Sequence, residues 1–155
     1  MTSLKAFLSA KDYIKIDLKS LASNHFAVQA KLNGVEGMFI LDTGASSTCV
    51  SKERLDYFNM VESDRSIAAA GAGDSSMTGL FSDQNKLKIG KWKVKDLSIV
   101  SFDLSHVNEA LEREGMDAVD GIIGADILIE AEGVIDYKKS RLFLKSNIYK
   151  KKRRQ

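Results

Sequence analysis

The stretch Phe39-Ile40-Leu41-Asp42-Thr43-Gly44 places an acidic residue directly after three apolar ones, with no polar residue between them. A run that is apolar on both faces is typical of a strand buried on both sides, so we predict that Asp42 lies at the edge of the core. A carboxylate in that place is costly unless something hydrogen-bonds or neutralises it. Gly44 allows a tight turn whose backbone N–H groups point back at the carboxylate. An ordinary Asx-type turn that closes a strand would explain the same residues.

Short strands and hairpins are predicted on both sides of this stretch. Period-2 alternation over 26–32 predicts a half-buried strand, and Asn33-Gly34 predicts a tight turn into the buried strand Met38–Leu41. Downstream we expect a strand at Ser47–Val50, a helical turn at Lys52–Phe58, a hairpin around Gly90-Lys91, a helix over about Asp103–Arg113, a helical turn at Ala125–Glu130 and a closing hairpin of 134–137 with 141–144. The chain is therefore predicted to be one mainly β unit.

Composition excludes several classes of protein. The 155 residues are 44% hydrophobic and 28% charged, a globular mixture rather than that of a disordered chain, a collagen or a coiled coil. The longest stretch without a charged residue is Ser20–Ala30, too short for a membrane span. The opening residues lack the apolar run of a secretory signal, so we expect a cytoplasmic protein. The one cysteine, Cys49, excludes an internal disulfide framework and is expected to be a buried, inert thiol.

Basic charge is concentrated in one place. The run Lys150–Arg154 holds five positive charges, whereas the other 150 residues hold 18 basic and 21 acidic residues. Such a tail can contact nucleic acid or anionic lipid, but a solvated chain end is the commoner reason for one, and we expect no nucleic-acid partner. His25 and His106 do not have the spacing of metal ligands, so no metal is expected.

Three separate elements together resemble the retropepsin-like aspartic proteases. Residues 39–47 are similar to their active-site loop, and Asp120–Leu128, with Ile122-Ile123-Gly124, is similar to their second signature, a hydrophobic pair and a glycine before a short helix. The closing hairpin resembles that of single-domain bacterial members. The resemblance implies a closed β-barrel-like retropepsin (acid protease) fold with one or two short helices, assembled as a two-fold dimer. It divides the chain into an N-terminal extension (1–24), which is either an added strand or an occluding segment, a protease domain (25–145) and a basic C-terminal tail (146–155).

The resemblance also implies a mechanism that needs two carboxylates. Two aspartates about 3 Å apart share one proton because both cannot ionise, so that one activates water while the other protonates the scissile carbonyl. This chain holds a single Asp-Thr-Gly, so the second aspartate must come from a second copy in an isologous dimer. The implied activity is that of a homodimeric aspartic endopeptidase that acts on peptides or proteins without a metal or a cofactor.

Individual roles follow from the same resemblance. Asp42 would be the catalytic residue, and Thr43 would reach across the dimer axis to lock the two loops together. Gly44 and Ala45 would bind the substrate backbone, and Gly124 would support the loop. Ala45 replaces a serine whose hydroxyl stabilises the ionised aspartate in pepsin-like enzymes, so activity nearer to neutral pH is expected.

A flexible lid over the site is predicted at Ala70–Gly79, where Ala70, Gly71, Ala72 and Gly73 would contact the substrate. A small-residue surface loop would have the same composition. The segment also lacks the tyrosine of the pepsin-type flap and carries Asp74 instead.

Two other functions are compatible with the sequence. One is a catalytically silent retropepsin-like module that serves dimerisation or peptide binding. The other is a nucleic-acid or lipid binder that acts through its basic tail on an unrelated β scaffold.

Overall fold

The computed structural model describes residues 1–71 and 74–147, and over 68–71 and 74–77 it describes the backbone only. The helices are α1 (Leu4–Ser9), α2 (Ser105–Arg113) and α3 (Ala125–Glu130), and a 3-10 turn covers Lys52–Arg54. The strands are β1 (Tyr13–Asp17), β2 (Lys19–Ser20), β3 (Phe26–Leu32), β4 (Val35–Leu41), β5 (Cys49–Ser51), β6 (Glu62–Gly71), β7 (Asp74–Ile89), β8 (Trp92–Phe102), β9 (Gly121–Ile123), β10 (Val134–Asp136) and β11 (Arg141–Lys145). No helix of this described part is long and apolar enough to cross a membrane.

A closed barrel forms the centre of the fold. One sheet has the strand order β2-β3-β4-β9-β5-β8-β7-β6, and a further pairing of β3 with β7 joins its two halves. That pairing, Lys31 with Lys88 and Leu32 with Leu87, closes β3, β4, β9, β5, β8 and β7 into a ring. A smaller sheet of order β1-β11-β10 lies beside it. The prediction of a mainly β, closed-barrel fold is confirmed; the described residues form three short α-helices where one or two were expected.

The core consists of large side chains from the barrel strands and from the smaller sheet. Leu32, Phe39, Trp92, Ile123 and Leu142 are each at most 1% exposed. The side chains of β3 alternate between buried and exposed over its second half, and Phe39, Ile40 and Leu41 are all buried. The doubly apolar run before Asp42 therefore lies in the core, as its sequence predicts.

Turn chemistry accounts for most of the other correct predictions. Asn33 and Gly34 have positive φ values of 51° and 83°, and Gly90 has a φ of 58°, as tight hairpin turns require. The α2 helix, the α3 helix and the closing hairpin also occur where they were expected. The strand predicted from Ser47 starts at Cys49 instead, because Thr48 bonds to α3. The helical turn predicted to Phe58 is a 3-10 helix only to Arg54, followed by hydrogen-bonded turns.

The N-terminal residues form a helix and two strands. Strand β1 pairs antiparallel with β11, from Tyr13 opposite Lys145 to Asp17 opposite Arg141. The α1 helix precedes it, and the Ser3 hydroxyl accepts a hydrogen bond from Ala6 N at 3.1 Å as its N-cap. Residues 13–17 of this segment are therefore part of the smaller sheet. Helix α1 was not predicted.

Strands β6 and β7 form a long hairpin in the region predicted to be the lid. Their register pairs Ile67 with Gly79 and Gly71 with Asp74. Ala72 and Gly73, two of the predicted substrate contacts, lie outside the described residues, as does the basic run of the tail.

Candidate active site

Asp42 lies where the chain crosses the end of a neighbouring strand. Strand β9 is inserted between β4, to which it is parallel, and β5, to which it is antiparallel. The chain leaves β4 at Leu41, forms the loop 42–48 beyond the end of β9, and returns as β5 on the other side. We call this place, where the loop passes the end of β9 and the start of α3, the crossing. The two sequence signatures, 39–47 and 120–128, are therefore in direct contact although they are about 80 residues apart in the chain.

Backbone hydrogen bonds fix the loop to β9 and α3. Asp42 N donates to Ile123 O at 3.0 Å, and Ala125 N donates to Ala45 O at 2.7 Å. Gly124 lies between these two bonds, and a Cβ there would be 2.7 Å from Ala45 O and 3.0 Å from the Ser47 carbonyl. Any larger residue at 124 would therefore displace the loop that carries Asp42.

The Asp42 carboxylate itself has few internal partners. Its Oδ1 accepts a hydrogen bond from Gly44 N at 2.8 Å, and no second donor within the described chain reaches the carboxylate. The side chain is partly exposed, Thr43 and Gly44 are exposed, and Ala45 is half-buried. The turn thus orients one oxygen and leaves Oδ2 available to a group from outside this chain.

A second carboxylate at the crossing, that of Asp126, accepts several hydrogen bonds from its own chain. Asp126, in the first turn of α3, accepts bonds from Thr48 Oγ1 at 2.7 Å, Thr48 N at 3.0 Å and Ile127 N at 2.9 Å. Thr48 is fully buried, and its hydroxyl also accepts a bond from Gly124 N at 3.0 Å. Asp126 therefore closes the loop as a structural residue. We did not predict this pair, although a polar residue directly before the apolar Cys49-Val50 was a signal that Thr48 has a buried partner.

A third carboxylate, Asp120, fixes the start of β9. Its Oδ1 accepts a hydrogen bond from Arg54 Nε at 2.7 Å, and its Oδ2 accepts one from Met38 N at 2.9 Å. The Arg54 guanidinium also lies over the Tyr57 ring, 3.8 Å from its centroid. Asp120 is joined in this way to β4 and to the 3-10 turn. The sequence pointed to Asp120 only as part of the second signature and did not identify Arg54.

A cavity of about 310 Å³ opens beside Asp42. Its apolar walls come from β4, β9 and α2, and its polar residues are Ser23, His25 and Glu114 together with Asp42; the apolar lining residues are Ile40, Val107, Ala110, Leu111 and Ile122. A concave, mainly apolar site with a few polar groups is the usual form of a small-ligand or side-chain pocket. The sequence predicted α2 but not its position against Asp42, because that position depends on tertiary packing.

Cys49 has no part in nucleophilic chemistry. Burial raises the pKa of its thiol to about 12; a hydrogen bond with the Ile122 backbone lowers the pKa in part, and the nearby charges of Asp126 and Asp42 add smaller contributions that raise it. The thiol is therefore protonated at neutral pH, which confirms the predicted buried and inert cysteine. Within residues 1–71 and 74–147, no cluster of three His, Cys, Asp or Glu side chains could hold a metal ion.

The predicted site residues divide into two groups. Asp42, Thr43, Gly44, Ala45 and Gly124 come together at the crossing. Ala70 and Gly71 lie at the end of β6, a different element, and the hydrogen bonds that join the loop to β9 do not involve that strand.

Comparisons with known proteins agree with this arrangement. A family profile described as "Aspartyl protease" matches residues 28–127. Among solved structures, the fold is similar to a retropepsin-like aspartic protease from Rickettsia conorii (TM-score 0.56, 20% identity, 85% of this chain and 90% of the other). It is also similar to the retroviral protease-like domain of Ddi1 from Leishmania major (TM-score 0.53, 18% identity, 76% and 86%). A third similar structure is the EIAV protease in complex with an inhibitor (TM-score 0.50, 14% identity, 76% and 98%).

Among curated proteins, no sequence matches this chain. The family match covers most of the chain and includes both signatures that meet at Asp42. The similar solved structures show that the chain also has their fold. The chain therefore belongs to the aspartyl protease family and has the retropepsin-like fold.

Proposed function

We propose that this protein is an aspartic endopeptidase that hydrolyses peptide bonds with a pair of aspartates, one from each of two chains. The observation that carries the proposal is the state of Asp42. It is held in a fixed loop at the crossing of the two signatures, yet it is partly exposed and accepts one hydrogen bond from its own chain. A carboxylate that acts on water must be both oriented and accessible in this way.

The other carboxylates at the crossing support a two-chain site. Asp120 is held by Arg54 and Met38, and Asp126 is held by Thr48 and Ile127. Neither is free to pair with Asp42, so the second member of the pair is Asp42 of another copy. A two-fold axis beside the exposed Thr43 and Gly44 would bring the two loops together.

The proposed reaction requires no metal or cofactor. The two Asp42 carboxyl groups share one proton. The ionised member takes a proton from a water molecule, which attacks the scissile carbonyl carbon, while the protonated member gives its proton to the carbonyl oxygen. Collapse of the tetrahedral intermediate then breaks the C–N bond: the carboxyl that took the proton from water gives it to the leaving amine, and the other carboxylate takes a proton back from a hydroxyl of the intermediate.

Substrate would lie across Gly44 and Ala45, with a side chain in the cavity beside Asp42. The lining of Ile40, Val107, Leu111 and Ile122 favours an apolar side chain next to the cut. The hairpin of β6 and β7, including the predicted contacts at Ala70 to Gly73, would cover the peptide from the other side.

We also retain as proposals the division of the chain into an N-terminal extension (1–24), a protease domain (25–145) and a basic C-terminal tail (146–155), and the cytoplasmic location.

The direct test compares the wild type with Asp42→Asn on a diverse peptide library. Cleavage by the wild type and none by the variant is expected, with both proteins at twice the chain mass of 17.1 kDa. Asp56→Asn, a change at an exposed aspartate, is the matched control and should cleave as the wild type does. Equal cleavage by wild type and Asp42→Asn would exclude Asp42 as the catalyst.

A catalytically silent module is the second candidate. It is favoured by Ala45, which offers Asp42 no hydroxyl. A stable dimer that binds peptides from the library without cleaving them, at any pH from acid to neutral, would establish this alternative.

A further inference from the structure

A cavity of about 560 Å³ lies against strands β3, β7 and β8 and shares no lining residue with the cavity beside Asp42. Its apolar side chains are Leu87 and Val94, and its one acidic residue is Asp96. The lining therefore has four more basic than acidic residues, because five exposed lysines also line it: Lys31, Lys86, Lys88, Lys93 and Lys95.

Three of these lysines form a row across adjacent strands. The register of the barrel pairs Lys31 on β3 with Lys88 on β7, and it pairs Lys88 with Lys93 on β8. Directly opposed residues of antiparallel strands point to the same face with their Cβ atoms about 5 Å apart, and like charges in such pairs destabilise a sheet. The row is therefore unfavourable unless negative charge is placed over it.

The described part of the chain supplies little of that negative charge. No ion pair within it involves any of the five lysines. Glu36 on β4 is the other cross-strand partner of Lys31, but its carboxylate accepts a hydrogen bond from Gln29 Nε2 at 3.3 Å and forms no ion pair with that lysine. Asp96 is the one carboxylate of the lining. The excess positive charge is therefore available to a ligand.

A bulge in β8 shapes one side of the cavity. Between the pairs Asn85–Leu97 and Leu87–Val94, strand β8 has one residue more than β7. Asp96 lies in this bulge with a positive φ of 55°. The bulge is a feature of the backbone, so it fixes where β8 places its lysines relative to those of β7.

The turn after β3 is tied to the other side of β7. Asn33 N donates to Lys86 O at 2.8 Å, and Lys86 N donates to Asn33 Oδ1 at 2.9 Å. Lys86 lies two residues from Lys88 on the same strand, so both side chains point to the same face. The lysines thus project from a fixed frame.

We propose that this cavity binds a small soluble polyanion that carries two or more phosphate groups. A concave site of this volume is in the range of small-ligand pockets, whereas a lipid surface or a nucleic-acid duplex would contact only the rim. A phosphate has acceptor oxygens on several sides and can bond to lysines of neighbouring strands at once, since each ammonium group is a compact point charge. This inference does not depend on the proposed peptidase activity.

The rest of the lining narrows the class of ligand. Among the described lining residues there is no arginine, the side chain whose planar fork pairs with a carboxylate. There is also no aromatic side chain among them to stack on a base. A polyphosphate or a sugar phosphate therefore fits better than a polycarboxylate or a nucleotide that is recognised through its base.

Isothermal titration calorimetry of the full chain with sodium tripolyphosphate is the test. We expect the wild type to bind, with an affinity that falls as salt is added. The cavity variant Lys31→Gln, Lys88→Gln, Lys93→Gln should raise Kd on the order of tenfold or more, because it removes the row of charged donors. Citrate and sulfate should bind more weakly than tripolyphosphate.

A matched control separates the cavity from net charge. The variant Lys19→Gln, Lys138→Gln, Lys139→Gln removes the same charge at exposed positions outside the cavity and should bind nearly as the wild type does. Both triple variants keep the basic run Lys150–Arg154, so any binding by that run is the same in both.

Thermal unfolding separates a binding role from a structural one. Without ligand, Lys88→Gln should leave Tm unchanged or raise it, because it removes the central charge of the row. Tripolyphosphate should raise the Tm of the wild type and have much less effect on the variant.

The proposal is overturned if tripolyphosphate does not bind to the wild type, or if citrate or sulfate binds as tightly. It is also overturned if the control variant loses as much affinity as the cavity variant, or if tripolyphosphate raises the Tm of the wild type and of Lys88→Gln equally. Tighter binding to phosphoinositide vesicles than to their free inositol phosphate headgroup would show a lipid ligand and would contradict the soluble one.

Discussion

Asp42 and Asp126 belong to the same crossing, yet their surroundings differ sharply. Asp126 accepts bonds from two backbone N–H groups and a hydroxyl, and its main partner Thr48 is fully buried. Asp42 accepts one bond, from a glycine two residues ahead. The hydrogen-bond acceptor sites of Asp126 are therefore occupied by its own chain. Asp42 is held in position by its one bond and can still accept bonds from other groups. Hydrogen-bond saturation therefore separates the structural carboxylate from the one proposed to act on substrate.

Asp42→Asn should produce the largest change in activity and almost none in stability. If Asp42 shares the catalytic proton, peptide cleavage should fall by about 10³-fold or more. The free energy of unfolding should change by less than about 0.5 kcal/mol, because a single local bond is affected. Peptide kinetics and urea unfolding at one protein concentration measure the two effects. A large loss of stability would contradict the distinction from Asp126.

Asp126→Ala should show the reverse pattern, with stability affected first. It leaves Thr48 N, Thr48 Oγ1 and Ile127 N without their acceptor, and we expect a loss of about 3 kcal/mol of unfolding free energy. Thr48→Val is the matched partner, and the double variant should lose less than the two single losses together. Strict additivity in urea unfolding would show that the two side chains do not stabilise the loop as a unit.

Arg54→Ala should have a smaller effect on stability. It removes the Nε bond to Asp120 and the contact with the Tyr57 ring, at a cost of about 1.5 kcal/mol because both side chains are partly exposed. Arg54→Lys should recover only part of that loss, since an ammonium group cannot both stack on the ring and donate from the same position. Full recovery by lysine in urea unfolding would show that charge alone matters.

The Cys49 thiol should give the smallest effect, and only in alkali. Its folded-state pKa is raised from 9.0 to about 12 by burial, so the protonated thiol is favoured by folding. The resulting stability is present below pH 9 and is lost as the pH rises toward 12. At pH 10 the wild type should have lost about 1 kcal/mol that Cys49→Ala retains. Urea unfolding at pH 8 and pH 10 checks this, and an identical pH dependence of the two proteins would contradict it.

Local sequence was sufficient to predict the strands and turns around Asp42. The apolar run at 39–41 and the positive φ of Asn33 and Gly34 are properties of neighbouring residues, so they could be predicted without a structure. The family resemblance identified the two signatures, but their contact was not predicted and comes from the structure. Composition and periodicity alone would have left them as two separate strand ends.

The partners of the buried polar groups could not be predicted from the sequence. Thr48 and Asp126 are 78 residues apart, and Arg54 and Asp120 are 66 apart. Nothing local indicates which of several acidic residues a buried hydroxyl will reach. The cavity beside Asp42 is similar, since α2 forms its wall only after the helix packs on β4 and β9.

The most direct test of the central claim is to mix wild-type chains with increasing amounts of Asp42→Asn chains under conditions that allow subunit exchange. If each site needs one Asp42 from each of two chains, activity per wild-type chain should fall in proportion to the wild-type fraction, and Asp56→Asn chains should cause no such fall. Activity per wild-type chain that stays constant as the variant is added would show that one chain acts alone, and would contradict the account.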